Sequence, residues 1–248
     1  GNSFIFTYKG DDGTLTYKLA PKTGTFTDIT AVWTRRGKLI RPCVDGGVYL
    51  AGSSKESQQI IPLGKPQLKN GVVTAKYRVT KANISADVTY SYRLWSKSLV
   101  IDTIAPGGNV EEVKYGHAEG LENPRLTISP FYHYGSTRPA FAATGAIDKP
   151  LFLAGNTDWY RSNASQPYAI NRVDESKVFY QGGVRYNTKT DGKRNDTFER
   201  FFITLSPRYE EVLPNIANPV SPWIKVTGTG VWRAHGATDR KSDAEIWT

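Results

Sequence analysis

The amino-acid sequence predicts an all-β fold, a large antiparallel β-sandwich with one or two short helical turns. Apolar and polar residues alternate in many short segments, and Gly, Asn and Asp turns separate these segments. Helix-period patterns are few. The chain has 248 residues, of which 39% are hydrophobic, and this length suits one large all-β domain or two small ones.

The alternating segments begin near the N-terminus and recur through the first hundred residues. The first two flank a GDDG turn, which predicts a hairpin, and Asn70-Gly71 precedes another strand. Together they favour long antiparallel strands joined by tight turns. In chain order the segments are SFIFTYK, TLTYKLA, TFTDITAVWT, VVTAKYRV, ISADVTYSYRLW and LVIDTI.

Near the C-terminal end the pattern changes. GGVRYNTKT and FERFFITLS flank Asp191-Gly192, which predicts a further hairpin. Ser206-Pro207 before RYEEVLP predicts a capped helical turn. We therefore assign residues 1–214 to the sandwich, and residues 215–248 to a Pro- and Asn-rich exit linker and the start of a following domain. A capping box at 242–245 supports a helix beginning there.

Composition and motifs restrict the function classes. The formal net charge is +9, but Lys and Arg are spread along the chain without a nucleic-acid-binding motif, so no nucleic-acid partner is expected. No apolar run reaches the roughly 20 residues of a membrane-spanning helix. The single cysteine, Cys43, excludes an intrachain disulfide, and no Cys/His cluster or phosphate-binding loop is present. We expect no metal and no cofactor.

The segment AGNTDWYRSNAS, residues 154–165, concentrates groups that suit a sugar. An aromatic ring can cover the apolar face of a sugar, while carboxylate, guanidinium and amide groups bind its hydroxyls. Asp158, Trp159, Arg161 and Asn163 are therefore candidate glycan-binding residues. In the alternative interpretation, Trp159 caps the core of the sandwich and Asp158 pairs with Arg161 at the rim.

Two other segments carry polar groups of interest. SPFYHYGSTRP, residues 129–139, adds His133, Tyr134 and Arg138 as glycan candidates, although a histidine at a strand end often serves only as a hydrogen-bonding residue. KYGHAEGLENPRL, residues 114–126, offers His117, Glu119 and Glu122 as an acid/base set, or else forms an ordinary connection between sheets.

The order of several segments resembles a known family. These segments span roughly residues 85–248 and are similar to the galactose-mutarotase-like β-supersandwich domain that precedes the (β/α)8 catalytic barrel of bacterial glycoside hydrolases. The resemblance rests on their order rather than on a short diagnostic motif. They are YRLWSKSLVIDTIAPGGNV, GHAEGLENPRL, PFYHYGSTRPAF, LFLAGNTDWYRSNAS, GGVRYNTKTDGKRNDTFERFFITLSPRYEEVLPNI and VWRAHGATDR.

This resemblance implies a non-catalytic accessory domain of a secreted or periplasmic enzyme. Its partners would be carbohydrate and a C-terminal catalytic domain of the same polypeptide, which would carry the catalytic carboxylates beyond Thr248. The alternatives are a stand-alone aldose epimerase or polysaccharide lyase, and a carbohydrate-binding module. Galactose mutarotase uses a His and a Glu; His117, His133 and Glu119 are of the right type, but they do not match its motif residue by residue.

Overall fold

The computed structural model describes residues 3–34, 38–52, 57–128, 140–159 and 161–213. Within these ranges the chain is almost entirely β-structure, so the predicted all-β sandwich is confirmed. The helical elements that lie wholly within these ranges are two 3-10 turns, Phe26–Asp28 and Tyr209–Glu211. The predictions for residues 129–139 and for the exit segment 215–248 lie outside the described residues.

The described strands are numbered in chain order. The first ten are β1 (Phe4–Gly10), β2 (Gly13–Leu19), β3 (Ile29–Trp33), β4 (Leu39–Val44), β5 (Gly47–Leu50), β6 (Gln59–Pro62), β7 (Gln67–Lys69), β8 (Val72–Lys81), β9 (Ile84–Trp95) and β10 (Ser98–Ala105). The next ten are β11 (Val110–Lys114), β12 (His117–Glu119), β13 (Arg125–Ile128), β14 (Ala140–Thr144), β15 (Leu151–Thr157), β16 (Gln166–Tyr168), β17 (Arg172–Asp174), β18 (Lys177–Phe179), β19 (Gly183–Arg185) and β20 (Thr197–Ser206).

These strands form three antiparallel sheets. A seven-stranded sheet has the order β1-β2-β3-β4-β12-β18-β17, and a four-stranded sheet has the order β16-β19-β11-β5. The largest, the nine-stranded sheet, runs β13-β14-β15-β20-β10-β9-β8-β6, with β7 also paired to β8. Its central strands β9, β10 and β20 have 12, 8 and 10 residues. At about 3.3 Å per residue, they separate the loops at one end of the strands from those at the other.

The core lies between the inward faces of the three sheets. Strand β9 illustrates the cause, because Ala86, Val88, Tyr90 and Tyr92 are buried at alternate positions while Asp87 between them is exposed. Side chains from all three sheets join one hydrophobic cluster. Each large apolar side chain buried in this way contributes about 2 kcal/mol to stability. Alternation in the sequence thus determines which face of each strand is buried.

The predicted hairpin at GDDG is confirmed, and Asn70-Gly71, predicted only to precede a strand, forms the turn of a second hairpin. Strands β1 and β2 pair from Phe4↔Leu19 to Gly10↔Gly13, across the predicted GDDG turn. Strands β7 and β8 are joined by Asn70 and Gly71, which both have positive φ angles of 52° and 75°. Two consecutive residues of positive φ are typical of the tight turns that match the twist of a hairpin.

The segment TFTDITAVWT differs in part from the prediction of a continuous strand. It begins with the 3-10 turn Phe26–Asp28, and only Ile29–Trp33 is extended. The Asp28 carboxylate accepts hydrogen bonds from the backbone N–H groups of Lys22 and Thr23, at 2.8 and 2.9 Å. Such side-chain bonds to the backbone compete with strand pairing and favour a turn.

The predicted hairpin around Asp191-Gly192 is wrong in its pairing. A turn is present, because the Lys189 N–H donates to the Lys193 carbonyl at 2.9 Å, but the flanking strands join different sheets. Strand β19 pairs with β11 and β16, whereas β20 pairs with β10 and β15. A Cβ on Gly183 would lie 2.4 Å from the Val113 carbonyl oxygen, so this close approach requires glycine.

The predicted helical turn after β20 is confirmed, but its predicted cap is wrong, because the N-cap residue is Arg208 rather than Ser206 and makes no side-chain capping hydrogen bond. Ser206 Oγ accepts a hydrogen bond from the Arg208 N–H at 3.1 Å, just before the turn Tyr209–Glu211. Val212 follows the turn and packs with Phe141 and Ala154 in a second, small hydrophobic cluster. The turn therefore folds back on β14 and β15 of the nine-stranded sheet.

Candidate functional site

One end of the nine-stranded sheet carries the 158–163 loop and the described strand ends on either side of residues 129–139. Strand β15 ends there at Thr157, and β20 begins there at Thr197. Strand β13 ends and β14 begins at this same end, because Ile128 pairs with Ala140 and β14 is antiparallel to β15. We call this the loop end of the sheet. The described strand ends that flank residues 129–139 therefore share it with the 158–163 loop.

Backbone hydrogen bonds hold the 158–163 loop against β20. Three of its N–H groups bond within the turn, and two bond to carbonyl groups of the neighbouring strand. This pairing explains why a loop rich in side-chain functional groups has a defined backbone. The bonds are Asp158 N to Arg200 O (2.8 Å), Trp159 N to Thr157 O (3.0 Å), Arg161 N to Asp158 O (3.0 Å), Ser162 N to Asp158 O (3.2 Å) and Asn163 N to Phe198 O (3.1 Å).

The four predicted residues of this loop divide into two pairs. Trp159 is 38% exposed and the Arg161 side chain is 60% exposed, so both reach solvent. Asp158 is buried, and its Oδ2 lies 3.8 Å from Arg161 Nε. Asn163 Nδ2 donates to the Asp196 carbonyl at 3.2 Å. The first pair is available to a ligand, whereas Asp158 and Asn163 contact the rest of the loop end.

The other predicted glycan candidates, His133, Tyr134 and Arg138, lie outside the described residues. Their positions in the chain connect β13 to β14. These three residues remain a prediction from sequence.

A buried carboxyl group beneath the loop was missed by sequence reasoning. Glu199 of β20 is fully buried, and its Oε1 accepts hydrogen bonds from Ser162 Oγ, at 2.9 Å, and from the Tyr186 hydroxyl. Its Oε2 is buried without a hydrogen-bond partner in the described part of the chain. Burial raises the pKa of Glu199 to about 7. Glu199 lies on the same face of β20 as the buried Phe201 and Ile203, because the three residues alternate along the strand. A charged residue on this otherwise apolar face is the sequence feature that could have revealed the buried carboxyl group.

Two phenols enclose this carboxyl group. Burial raises the pKa of Tyr115 and of Tyr186, and the negative charge of Glu199 raises both further. Tyr115 accepts a hydrogen bond from Thr157 Oγ1 at 2.8 Å and stacks on Phe201 with ring centroids 3.9 Å apart. Both phenols therefore stay protonated around neutral pH. Both rings are buried.

The candidate acid/base set near His117 is only partly assembled. His117 and Glu119 lie side by side in β12, with His117 Nε2 3.2 Å from Glu119 Oε1, but the imidazole is buried against Phe179. Arg41 donates to the same carboxylate at 2.9 Å. Glu122 pairs instead with Lys38 at 2.7 Å.

The thiol of Cys43 is buried, and burial raises its pKa to about 12. Its Sγ lies 3.8 Å from the Tyr180 hydroxyl. A thiol with this pKa carries almost no thiolate at neutral pH and is a poor nucleophile.

Among the described residues, no group of three or more His, Cys, Asp or Glu side chains is placed to hold a metal ion. The same ranges contain no helix long and apolar enough to cross a lipid bilayer. No protein-family model matches the chain, and no curated protein matches it.

Proposed function

We propose that this chain is a non-catalytic β-sandwich domain of a bacterial glycoside hydrolase, and that it contacts glycan through the 158–163 loop. The observation that carries the glycan contact is the exposure of Trp159 and Arg161 on a loop whose backbone is held by hydrogen bonds. The class of the parent enzyme, and its secretion to the periplasm or the medium, rest on the order of segments in the sequence.

Trp159 contributes an exposed aromatic ring to the loop. An exposed indole gains free energy when it covers the apolar face of a sugar, because apolar surface of both partners is removed from water. Arg161 follows two residues later and offers a fork of N–H donors for hydroxyl or carboxylate oxygens. Because the loop is already ordered, little conformational entropy is lost on binding.

The non-catalytic part of the proposal is supported by the burial of Glu199 and His117. Glu199 is fully buried and His117 nearly so, which leaves neither group access to a polymer at the surface. A general acid must come within hydrogen-bond reach of the reacting group. In this arrangement, the loop end supplies binding chemistry and the catalytic carboxylates belong to the partner barrel.

Glycan-array screening followed by calorimetric titration tests the contact. We expect Trp159→Ala to weaken binding about tenfold, the equivalent of 1.4 kcal/mol. Trp95→Ala is the matched control, because Trp95 is 46% exposed at the opposite end of the nine-stranded sheet. Equal affinities of the Trp159→Ala variant and the wild type would remove the loop from the proposal, and so would failure of the wild type to bind any glycan.

The accessory role is tested in the full-length parent protein. We expect Trp159→Ala to raise KM on a polymeric substrate about tenfold and to leave kcat on a small aryl glycoside unchanged, because only the polymer reaches the sandwich. A native reading frame that encodes no barrel would contradict the accessory role. Loss of kcat on the small substrate would instead indicate that the loop takes part in catalysis.

A further inference from the structure

The link between Glu199 and the 158–163 loop has a consequence for binding. Ser162 belongs to this loop, and its hydroxyl donates to Glu199 Oε1 at 2.9 Å while accepting the Ala164 N–H at 3.1 Å. The exposed Trp159 and Arg161 lie within three residues of Ser162. The carboxyl group therefore anchors the segment that carries the proposed glycan contacts.

The same carboxyl group is poorly suited to carry a charge. It is fully buried, Oε2 has no hydrogen-bond partner in the described ranges, and no Lys, Arg or His there forms an ion pair with Glu199. Thr197 Oγ1, two residues before it on the same face of β20, is buried and also without a partner. Burying an unpaired carboxylate costs free energy, so the charged form of Glu199 favours a loop conformation that exposes it to water.

The groups that face Glu199 do not offset this cost. Tyr186 and Tyr115 approach from the segments after β19 and β11, and their raised pKa values keep them neutral. The charged groups of the loop, Asp158 and Arg161, lie beside each other. The next residue of β20, Arg200, points to the other face of the sheet and pairs with Asp102.

We infer that Glu199 positions the 158–163 loop and that loss of its proton loosens this loop, so that glycan contact weakens as the pH rises. This inference rests on the proposed function and deepens it, because it adds regulation of the same surface. Burial supports it by raising the pKa of Glu199 to about 7, which places the proton loss in the neutral range.

Hydrogen exchange of the backbone amides in residues 158–165, followed by mass spectrometry, tests the switch without any glycan. After correction for intrinsic exchange rates, we expect loop opening in the wild type to increase about tenfold between pH 6 and pH 8. Glu199→Gln keeps the shape of the side chain and cannot lose a proton, so its opening should stay constant. Glu122→Gln, a change at a largely exposed glutamate, should behave like the wild type.

Equal pH profiles of the wild type and the Glu199→Gln variant would overturn the inference. A loop that is open in this variant at both pH values would also overturn it, because the carboxyl group would then have a structural role only. If the variant fails to fold, Tyr186→Phe provides the second test. Removing a donor to the carboxylate raises the pKa of Glu199, so the transition should move to higher pH; an unchanged transition refutes the proton link.

Calorimetric titration at pH 6 and pH 8, with any glycan that the array identifies, completes the experiment. We expect weaker binding at pH 8 than at pH 6 for the wild type, by the factor by which the closed fraction of the loop falls, and equal binding at the two pH values for the Glu199→Gln variant. Loop opening that depends on pH in the absence of any glycan binding would remove the proposed function and the weakening of glycan contact while retaining the loop switch. Glycan binding through Trp159 together with loop opening that does not depend on pH would retain the proposed function and remove the loop switch.

Discussion

Two buried charged groups lie at opposite ends of the nine-stranded sheet, and their surroundings differ. Lys97, in the turn between β9 and β10, forms ion pairs with Asp12 and Glu211 and lies over the ring of Tyr8 at 5.3 Å. Glu199, at the loop end, has hydroxyl donors but no cation in the described ranges. Ion pairs stabilise the charge of Lys97, whereas burial without a cation makes the charged form of Glu199 costly.

The two sites differ in how the buried charge is compensated. Burial lowers the pKa of Lys97, but its hydrogen bonds to Asp12 and Glu211 outweigh burial and raise it. These partners come from the β1–β2 hairpin and from the turn after β20, so the ion pairs join distant parts of the chain. Glu199 joins a loop to the core at a buried position, where the free-energy cost of burial depends on whether the carboxyl group is protonated.

The largest expected effect comes from breaking the Lys97 cluster. Lys97→Met leaves two carboxylates close together at a largely buried site, and removal of one partner of a buried ion pair costs about 3 to 5 kcal/mol. We expect this loss in the free energy of unfolding measured with urea. Lys76→Met on the exposed face of β8 should change stability by less than about 0.5 kcal/mol. Equal effects of the two substitutions would show that the Lys97 ion pairs contribute nothing.

Neutralising the Glu199 carboxyl group is expected to have the next largest effect and the opposite sign. The folded-state pKa of Glu199 is raised to about 7 from 4.5, so between these values the folded state binds more protons than the unfolded state. Stability therefore falls as the pH rises through this window, and the full penalty remains above pH 7. Glu199→Gln should be about 2 to 3 kcal/mol more stable than wild type at pH 8, and nearly equal to it at pH 5.

Urea unfolding of both proteins across this pH range measures the difference. A variant that is less stable than the wild type at pH 8 would mean that the carboxylate is well solvated or paired in the folded state.

Removing one donor gives a smaller effect. Ser162→Ala takes one hydrogen bond from Glu199 and should destabilise the protein by about 1 to 2 kcal/mol at pH 8, where the acceptor is charged. The loss should be smaller at pH 5, where the acceptor is neutral. Ser85→Ala on the exposed face of β9 serves as the control. If the loss of stability were the same at pH 5 and pH 8, the Ser162 hydrogen bond would not depend on the charge of Glu199.

The smallest expected effect is the pH response of the Lys97 cluster itself. Because the pKa of Lys97 is raised in the folded state, its contribution is fully present below the unfolded value of 10.5 and is lost only at higher pH. The cost of Lys97→Met should thus stay constant, within about 0.5 kcal/mol, between pH 6 and pH 9. A cost that varies across this range would place a second titrating group in the cluster.

The sequence determined the fold class and much of the strand pattern. Alternation assigned β9 over its whole length, the GDDG turn located the hairpin of β1 and β2, and Asn70-Gly71 marked the start of β8. These are local properties, because period-two burial and positive φ angles depend on neighbouring residues. The exposed pair Trp159 and Arg161 was also found in this way, from residue types within one short segment.

Only the tertiary structure decided which strands pair and which charges meet. Strands β19 and β20 follow each other in the chain but join different sheets, since Gly183 must approach the Val113 carbonyl. Lys97 and Asp12 are 85 positions apart, and Glu199 and Ser162 are 37 apart. A polar side chain shows its residue type in the sequence, but its burial and its partners depend on strands brought together by folding.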